Sequence, residues 1–304
     1  MDKRSFQGNL IAAAAYLIWG AIPLYWLLLD SVNSFVVVAY RILCSAPILA
    51  FALFFASQRK EIKNVFMNGK SLLKLIASSI LLFANFLLYI WGLSQGMYLD
   101  VSFGYFITPL MQVLLGVLFL KEKMDKISIL SFLLAFAAIV YLMVAQGIIP
   151  WFSITLSILF ATYGFTKKKI HTDATAGLFL ETIFMLPLGV LMLVLFSGEG
   201  KSFGSDLPTT LLLIGAGILT SGPMLLYNMA AKRITLITLG FYQYLSPTGT
   251  FLISVLILHD NVGTPRWFSF GLIWAALVIY TTATVIKSIK NRSGKAQDLA
   301  PMKP

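Results

Sequence analysis

Ten apolar stretches, each close to the ~20 residues that carry a helix across bilayer hydrocarbon, take up nearly the whole chain. They run 6–28, 33–56, 71–93, 98–120, 127–145, 150–166, 176–196, 209–231, 236–258 and 267–286. In lipid, such a run is stable as an α-helix, which satisfies its own N–H and C=O groups. The expected fold is therefore an all-α membrane protein with ten transmembrane helices. At 59% hydrophobic and 12% charged, the 304 residues are too apolar for a water-soluble domain. No connection is long enough to fold by itself; the longest polar ones run about 57–70 and 197–208. The first stretch is long and no small-residue cleavage site follows it, so a retained span is expected. Cys44, the single cysteine, lies in the second stretch and reads as a small packed side chain.

Threading the chain as ten spans sorts its bases. With residue 1 inside, 20 of the 23 Lys and Arg residues fall on the inner side. They include Arg59 to Lys74, Lys121 to Lys126, the triplet Lys167-Lys168-Lys169, Lys232-Arg233 and the C-terminal bases. The opposite loops hold Lys201 and Arg266, and Arg41 lies within the second span. Acidic residues do not follow the split. This is the positive-inside pattern, and it places both termini in the cytoplasm. The bases are scattered over short segments beside the membrane and suit anionic lipid headgroups. The net charge of +11 thus implies membrane lipids as partners and no nucleic acid.

The chain repeats itself weakly. Thr108-Pro109 in span four and Ser246-Pro247 in span nine stand 138 residues apart, as do Tyr89 and Tyr227, and Glu122 and Asp260. Arg41 precedes Pro47 by six residues, as Glu181 precedes Pro187, and Trp19-Gly20 answers Tyr163-Gly164. The units are a first repeat at 1–147 and a second at 148–290, with 291–304 expected as a disordered cytoplasmic tail. Five spans per unit is an odd number, so the second unit enters the membrane inverted. Inverted repeats are a hallmark of secondary transporters, whose site lies at the midplane between halves that rock around it. The alternative is a non-transporting scaffold or partner subunit. Against it stand Pro23, Pro47, Pro109, Pro187, Pro223 and Pro247 in or near span ends. Each frees a backbone carbonyl that needs protein or cavity water nearby.

Arg41 and Glu181 are the charges deeper within spans, and a charge at span centre costs ~2.5–3.5 kcal/mol on insertion scales. Three roles stay open: an ion pair between them, a substrate clamp through the fork of Arg41, or a proton-coupling site at Glu181. Tyr105, Gln243 and Tyr244 sit beside the paired prolines and are the further candidates for substrate binding or coupling. Asn85, Gln112 and Asn228 read as amides bonding between helices. Gly92 and Gly96 form a Gly-x-x-x-Gly near the end of span three. Enzyme chemistry finds no support: His171 and His259 fall on opposite sides, and no metal, nucleophile-elbow or phosphate-loop motif occurs. No cofactor or metal is expected.

Several stretches resemble one family. They are Trp19-Gly20 with Pro23-Leu24-Tyr25-Trp26, and Asn85-Phe86-Leu87-Leu88-Tyr89-Ile90-Trp91. Gly104-Tyr105-Phe106-Ile107-Thr108-Pro109-Leu110 is the most specific, with Gly177-Leu178, Glu181-Thr182, Gln243-Tyr244 and Pro247-Thr248 beside it. The chain resembles the RarD-type permeases of the drug/metabolite transporter superfamily, built on EamA repeats. That resemblance implies a ten-span, two-repeat permease of a bacterial cytoplasmic membrane; the chain is read as moving a small polar or amphipathic metabolite or drug, with a proton at Glu181 as candidate coupling ion. The chain departs from the family pattern at Tyr40, where histidine is usual, at Thr108, often asparagine, and at His259-Asp260, usually Gly-Glu.

Overall fold

The computed structural model describes residues 3–55, 59–95, 97–147, 150–257, 259 and 263–298. Twelve helices follow one another among them. They are α1 (Lys3–Trp26), α2 (Ser34–Phe55), α3 (Arg59–Met67), α4 (Gly69–Ser94), α5 (Tyr98–Leu120) and α6 (Lys126–Gln146). Then come α7 (Trp151–Lys169), α8 (Ala174–Phe196), α9 (Leu207–Ala231), α10 (Leu236–Gln243), α11 (Leu245–Leu256) and α12 (Thr264–Asp298). A 3-10 turn at Leu27–Leu29 extends α1. Short polar side chains start several helices: Asp125 accepts from Ser128 N–H, Asp173 from Thr175, Asp206 from Thr209 and Thr235 from Thr238. Thr209 N–H, with Lys201 3.0 Å away, also holds the Asp206 carboxyl down to about 2.

Eight of the described helices are long and apolar enough to cross a membrane: α1, α2, α4, α5, α6, α8, α9 and α12. The other two expected spans differ for separate reasons. Helix α7 has 19 residues and ends in Lys167, Lys168 and Lys169, which lowers its apolar content. The ninth stretch is broken into α10, of 8 residues, and α11, of 12. Pro247 has no N–H to return to the Gln243 carbonyl and its ring crowds that carbonyl, so α10 stops at Gln243. The equivalent Pro109 leaves α5 continuous. There Thr108 Oγ1 donates to the Gly104 carbonyl at 2.6 Å, the ordinary back-bond of a helical threonine.

The polar connection at 57–70 contains α3, whose Val65 packs on Leu75, Ile170 and Leu180. Helix α12 is helical through Asp298, past the boundary expected at 290, because no proline interrupts it there. Of the expected tail, residues 299–304 lie outside the described residues, as do Gly96 and Asp260.

Packing crosses between the halves. Helix α1 packs on α9 and α11, and α7 packs on α4 and α5; α2 meets α8, α5 meets α10, and α6 meets α12. Gly8 of α1 abuts Arg233 and Ile234 just after α9, and Tyr25 donates to the Leu212 carbonyl at 2.5 Å. The pair α1–α9 is therefore antiparallel. So is α4–α7: Lys74 bonds the Lys169 carbonyl at 3.3 Å, Asn85 the Leu156 carbonyl at 3.1 Å, and Gly92 abuts Phe152. Lys168 donates to the Ile234 carbonyl, so the end of α7 lies by the start of α1. Where α1 meets α11, the backbones touch: a Cβ on Gly249 would stand 3.0 Å from Gly20 Cα.

The outer surface is apolar, with Val144 76% and Val194 74% exposed, which water would penalise and lipid tails accept. At one end, Val32 bridges Gly200 and Lys201, the only strand-like pairing among the described residues. Gly200 takes φ +86, and a Cβ there would press on the Ser31 carbonyl at 3.1 Å.

Candidate functional site

A cavity of about 530 Å³ is lined from α1, α2, α4, α5, α6, α7, α9, α10, α11 and α12, at the α10–α11 break. That volume suits a small organic solute. Rings make up much of its wall, including Trp19, Trp26, Phe86, Tyr89, Tyr105 and Phe160. Tyr89 and Tyr105 meet edge to face at 5.8 Å, and Trp19 lies 5.4 Å from Tyr16 and 5.7 Å from Tyr227. The lining extends from Tyr16, in the body of α1, to Trp26 at its end, Val101 near the start of α5 and Arg266 near the start of α12.

Arg41 projects into this cavity from α2. Its guanidinium carbon lies 5.0 Å from the ring centres of both Trp26 and Phe86, whose π faces attract the cation. Its Nε donates to Thr220 Oγ1 at 2.9 Å. Thr220 can accept that bond because it sends its own proton to the Ala216 carbonyl at 2.8 Å. Among the described residues no carboxylate pairs with Arg41, and its two terminal nitrogens have no protein acceptor.

Two other expected residues join Arg41. Tyr105 and Gln243 both line the cavity, Gln243 from the end of α10 with its Oε1 unpartnered among the described residues. Tyr244 does not join them. The break points its ring away from the cavity into a core cluster with Phe106, Ile107 and Phe270, where it is 1% exposed.

Glu181 lies elsewhere, fully buried near the opposite end of the bundle. Of the three roles left open, the ion pair between Arg41 and Glu181 does not form. Glu181 pairs instead with Lys167 at 2.9 Å, and Ser78 Oγ donates to the same carboxylate oxygen at 2.5 Å. The Tyr163 hydroxyl has one proton and stands 3.1 Å from Asn228 Oδ1 and 3.3 Å from Glu181 Oε2. The reason is depth: Arg41 sits toward the start of α2, whereas Glu181 follows the start of α8 at the other end, within reach of the last turn of α7. Beside this cluster, burial and the charge of Lys167 push Lys232 down to about 8.

Three contributing residues escaped the sequence. Lys167 belongs to a lysine triplet that reads as a solvated loop, yet Ser153, Ser157, Phe160, Tyr163 and Lys167 share one buried face of α7. That spacing was the available signal. Arg266 reads as a loop base, and Thr220 carries no signal of its own. No group of three or more potential metal ligands occurs among the described residues.

Comparison with known proteins agrees with this architecture. The model of the EamA-like transporter family matches the chain twice, at residues 6–144 and 147–282. The "Uncharacterized transporter YojE" of Bacillus subtilis is 37% identical, over 92% of this chain and 95% of that protein. "Protein RarD" of Escherichia coli is 34% identical, over 91% and 95%. The "Chloramphenicol-sensitive protein RarD" of Pseudomonas aeruginosa is 27% identical, over 90% and 93%. A solved structure titled "Crystal structure of protein" shares the fold at TM-score 0.72 and 15% identity, over 91% of this chain and 96% of that one. Matched across both repeats and along nine-tenths of its length, this chain belongs to the EamA-like transporter family as a RarD-type permease.

Proposed function

We propose that the chain is a secondary transporter that carries a small polar or amphipathic solute across the cytoplasmic membrane by alternating access. The observation that carries this reading is the ring-lined cavity of about 530 Å³ with Arg41, Tyr105 and Gln243 in its wall, set beside a broken helix. Discontinuous helices next to a buried polar pocket are how many carriers bind solutes within the bilayer. On this reading α7 and the joined α10–α11 complete ten spans. The opposed directions of α1 and α7 correspond to two inverted repeats, with both termini in the cytoplasm.

The state is then outward-facing. The cavity reaches the end opposite the lysine-rich segments, while the Lys167–Glu181–Ser78 cluster and the Tyr16–Tyr227 contact lie between it and the cytoplasm. Glu181 is the candidate proton-coupling group, acting from this inner closure and not from the solute cavity. Tyr244 acts as packing behind the break.

The test is solute counterflow in proteoliposomes holding the purified chain, screened over a broad metabolite panel. At least one solute should exchange faster than in protein-free vesicles. A panel in which nothing exchanges overturns the carrier reading in favour of a scaffold or partner subunit.

A further inference from the structure

The charges that line the cavity are both guanidinium groups, Arg41 and Arg266, and no Asp or Glu is among its described lining residues. Two guanidinium groups and no described carboxylate in its lining give the cavity a positive potential that favours an anion. Arg41 is also prepared for one. Its Nε is spent on Thr220, Trp26 and Phe86 stand beside its charge, and its two terminal nitrogens lack protein acceptors among the described residues. Two adjacent N–H donors of this kind match the two oxygens of a carboxylate. The rest of the wall, with Trp19, Tyr89 and Tyr105, offers ring faces and edges and little charge, which suits a flat apolar body.

We propose that the cavity selects an organic anion with a carboxylate on a ring-bearing body, the carboxylate bound by Arg41 and attracted inward by Arg266 at the mouth. This rests on the reading of the cavity as a solute site. A cation is repelled by both guanidinium groups. A zwitterion brings its ammonium group into the same positive field, and a neutral amide leaves Arg41 without a counter-charge. Discrimination thus comes from repulsion of the wrong charge as well as attraction of the right one.

Binding is measured on the full chain in lipid nanodiscs by quenching of tryptophan fluorescence, since Trp19 and Trp26 line the cavity. The probes are 3-phenylpropionate, its amide, 3-phenylpropylamine, phenylalanine, propionate and inorganic phosphate. 3-Phenylpropionate should bind about tenfold or more tightly than its amide, which corresponds to about 1.4 kcal/mol. It should also bind more tightly than the amine, phenylalanine and propionate. Arg41→Gln should bring the carboxylate-to-amide ratio close to one, with an unchanged size-exclusion profile as the check on folding. Arg266→Gln should lower the ratio by a smaller factor, and Arg41→Lys should give an intermediate ratio.

Equal or tighter binding of the amide, the amine or phenylalanine overturns the proposal. So does a ratio that survives Arg41→Gln, or no carboxylate binding at millimolar concentration. Should Arg41→Gln fail to fold, Arg266→Gln decides, and an unchanged ratio there sinks the two-cation account. Propionate or phosphate binding as well as 3-phenylpropionate removes the ring-bearing body. Counterflow separates the two readings. If 3-phenylpropionate binds but no solute exchanges, the carrier reading fails alone; if other solutes exchange and the carboxylate does not bind, the anion proposal fails alone.

Discussion

Lys167 and Glu181 show how a charge survives in the interior of an apolar bundle. Both are within 1% of complete burial, and each supplies the other's counter-charge at 2.9 Å. Breaking such a pair leaves an uncompensated ion and costs about 3–5 kcal/mol. Lys167→Met should therefore lower the midpoint of thermal unfolding sharply, and adding Glu181→Leu should recover most of the loss. A single variant as stable as the wild type would mean the pair is not formed. Lys232, just beyond α9, has its ammonium moved from an ordinary 10.5 to about 8 by burial and by Lys167. The folded chain then holds fewer protons than the unfolded chain between those values, so folding gains stability as pH rises from about 8 to 10.5. Below about 8 both states are protonated and the full cost of the buried charge is present. Lys232→Gln should flatten that rise in a pH series of unfolding midpoints, and an identical rise in both proteins would contradict it. At this scale the sequence singled out three residues that line the cavity: Arg41 and Gln243 as a charge and an amide within apolar runs, and Tyr105 by its place beside a repeated proline. It also singled out Tyr244, one residue beyond Gln243, which packs in a core cluster, because the direction of a side chain at a helix break is not written in hydropathy.

The helix ends show how elements hold one another. At the end of α5, Lys121 takes φ 54 and Glu122 N–H returns to the Gly116 carbonyl at 3.0 Å, a Schellman-type turn. That turn delivers the Glu122 carboxylate to the first turn of α10, where it accepts from Leu236 N–H at 2.8 Å and Ile237 N–H at 2.9 Å. A negative charge there satisfies donors that α10 cannot pair internally and opposes the positive end of the helix. Glu122→Gln should cost about 2 kcal/mol, the scale of a hydrogen bond to a charged group, read as a lower unfolding midpoint. No change would show that Thr235 alone suffices as the cap. Long apolar runs made most helices legible, but α3 passed as a loop although Ile62, Val65 and Phe66 already form a helical apolar stripe. The two prolines at offset 138 also looked equivalent, and only the structure separates a continuous α5 from a broken α10–α11.

For the whole molecule, long apolar runs foretold a multi-pass membrane protein. The cavity was not legible, because its wall comes from helices of both halves that meet only in three dimensions. The proposed orientation has a direct check. In a Cys44→Ser background, Ser205→Cys should react with a membrane-impermeant maleimide in intact cells, whereas Asn68→Cys should react only after permeabilisation. The reverse pattern would turn the molecule over.

Val32, clipped to Gly200 and Lys201, has a mechanical consequence. Asn33 adds a 2.7 Å bond to Glu199, and Phe35 stacks on Phe196 at 4.5 Å. The α1–α2 hairpin and the α8–α9 hairpin are thus stitched together at their tips, although they come from different repeats. On the proposed alternating-access reading the two hairpins swing as one limb, and the moving parts are then not the sequence's two halves.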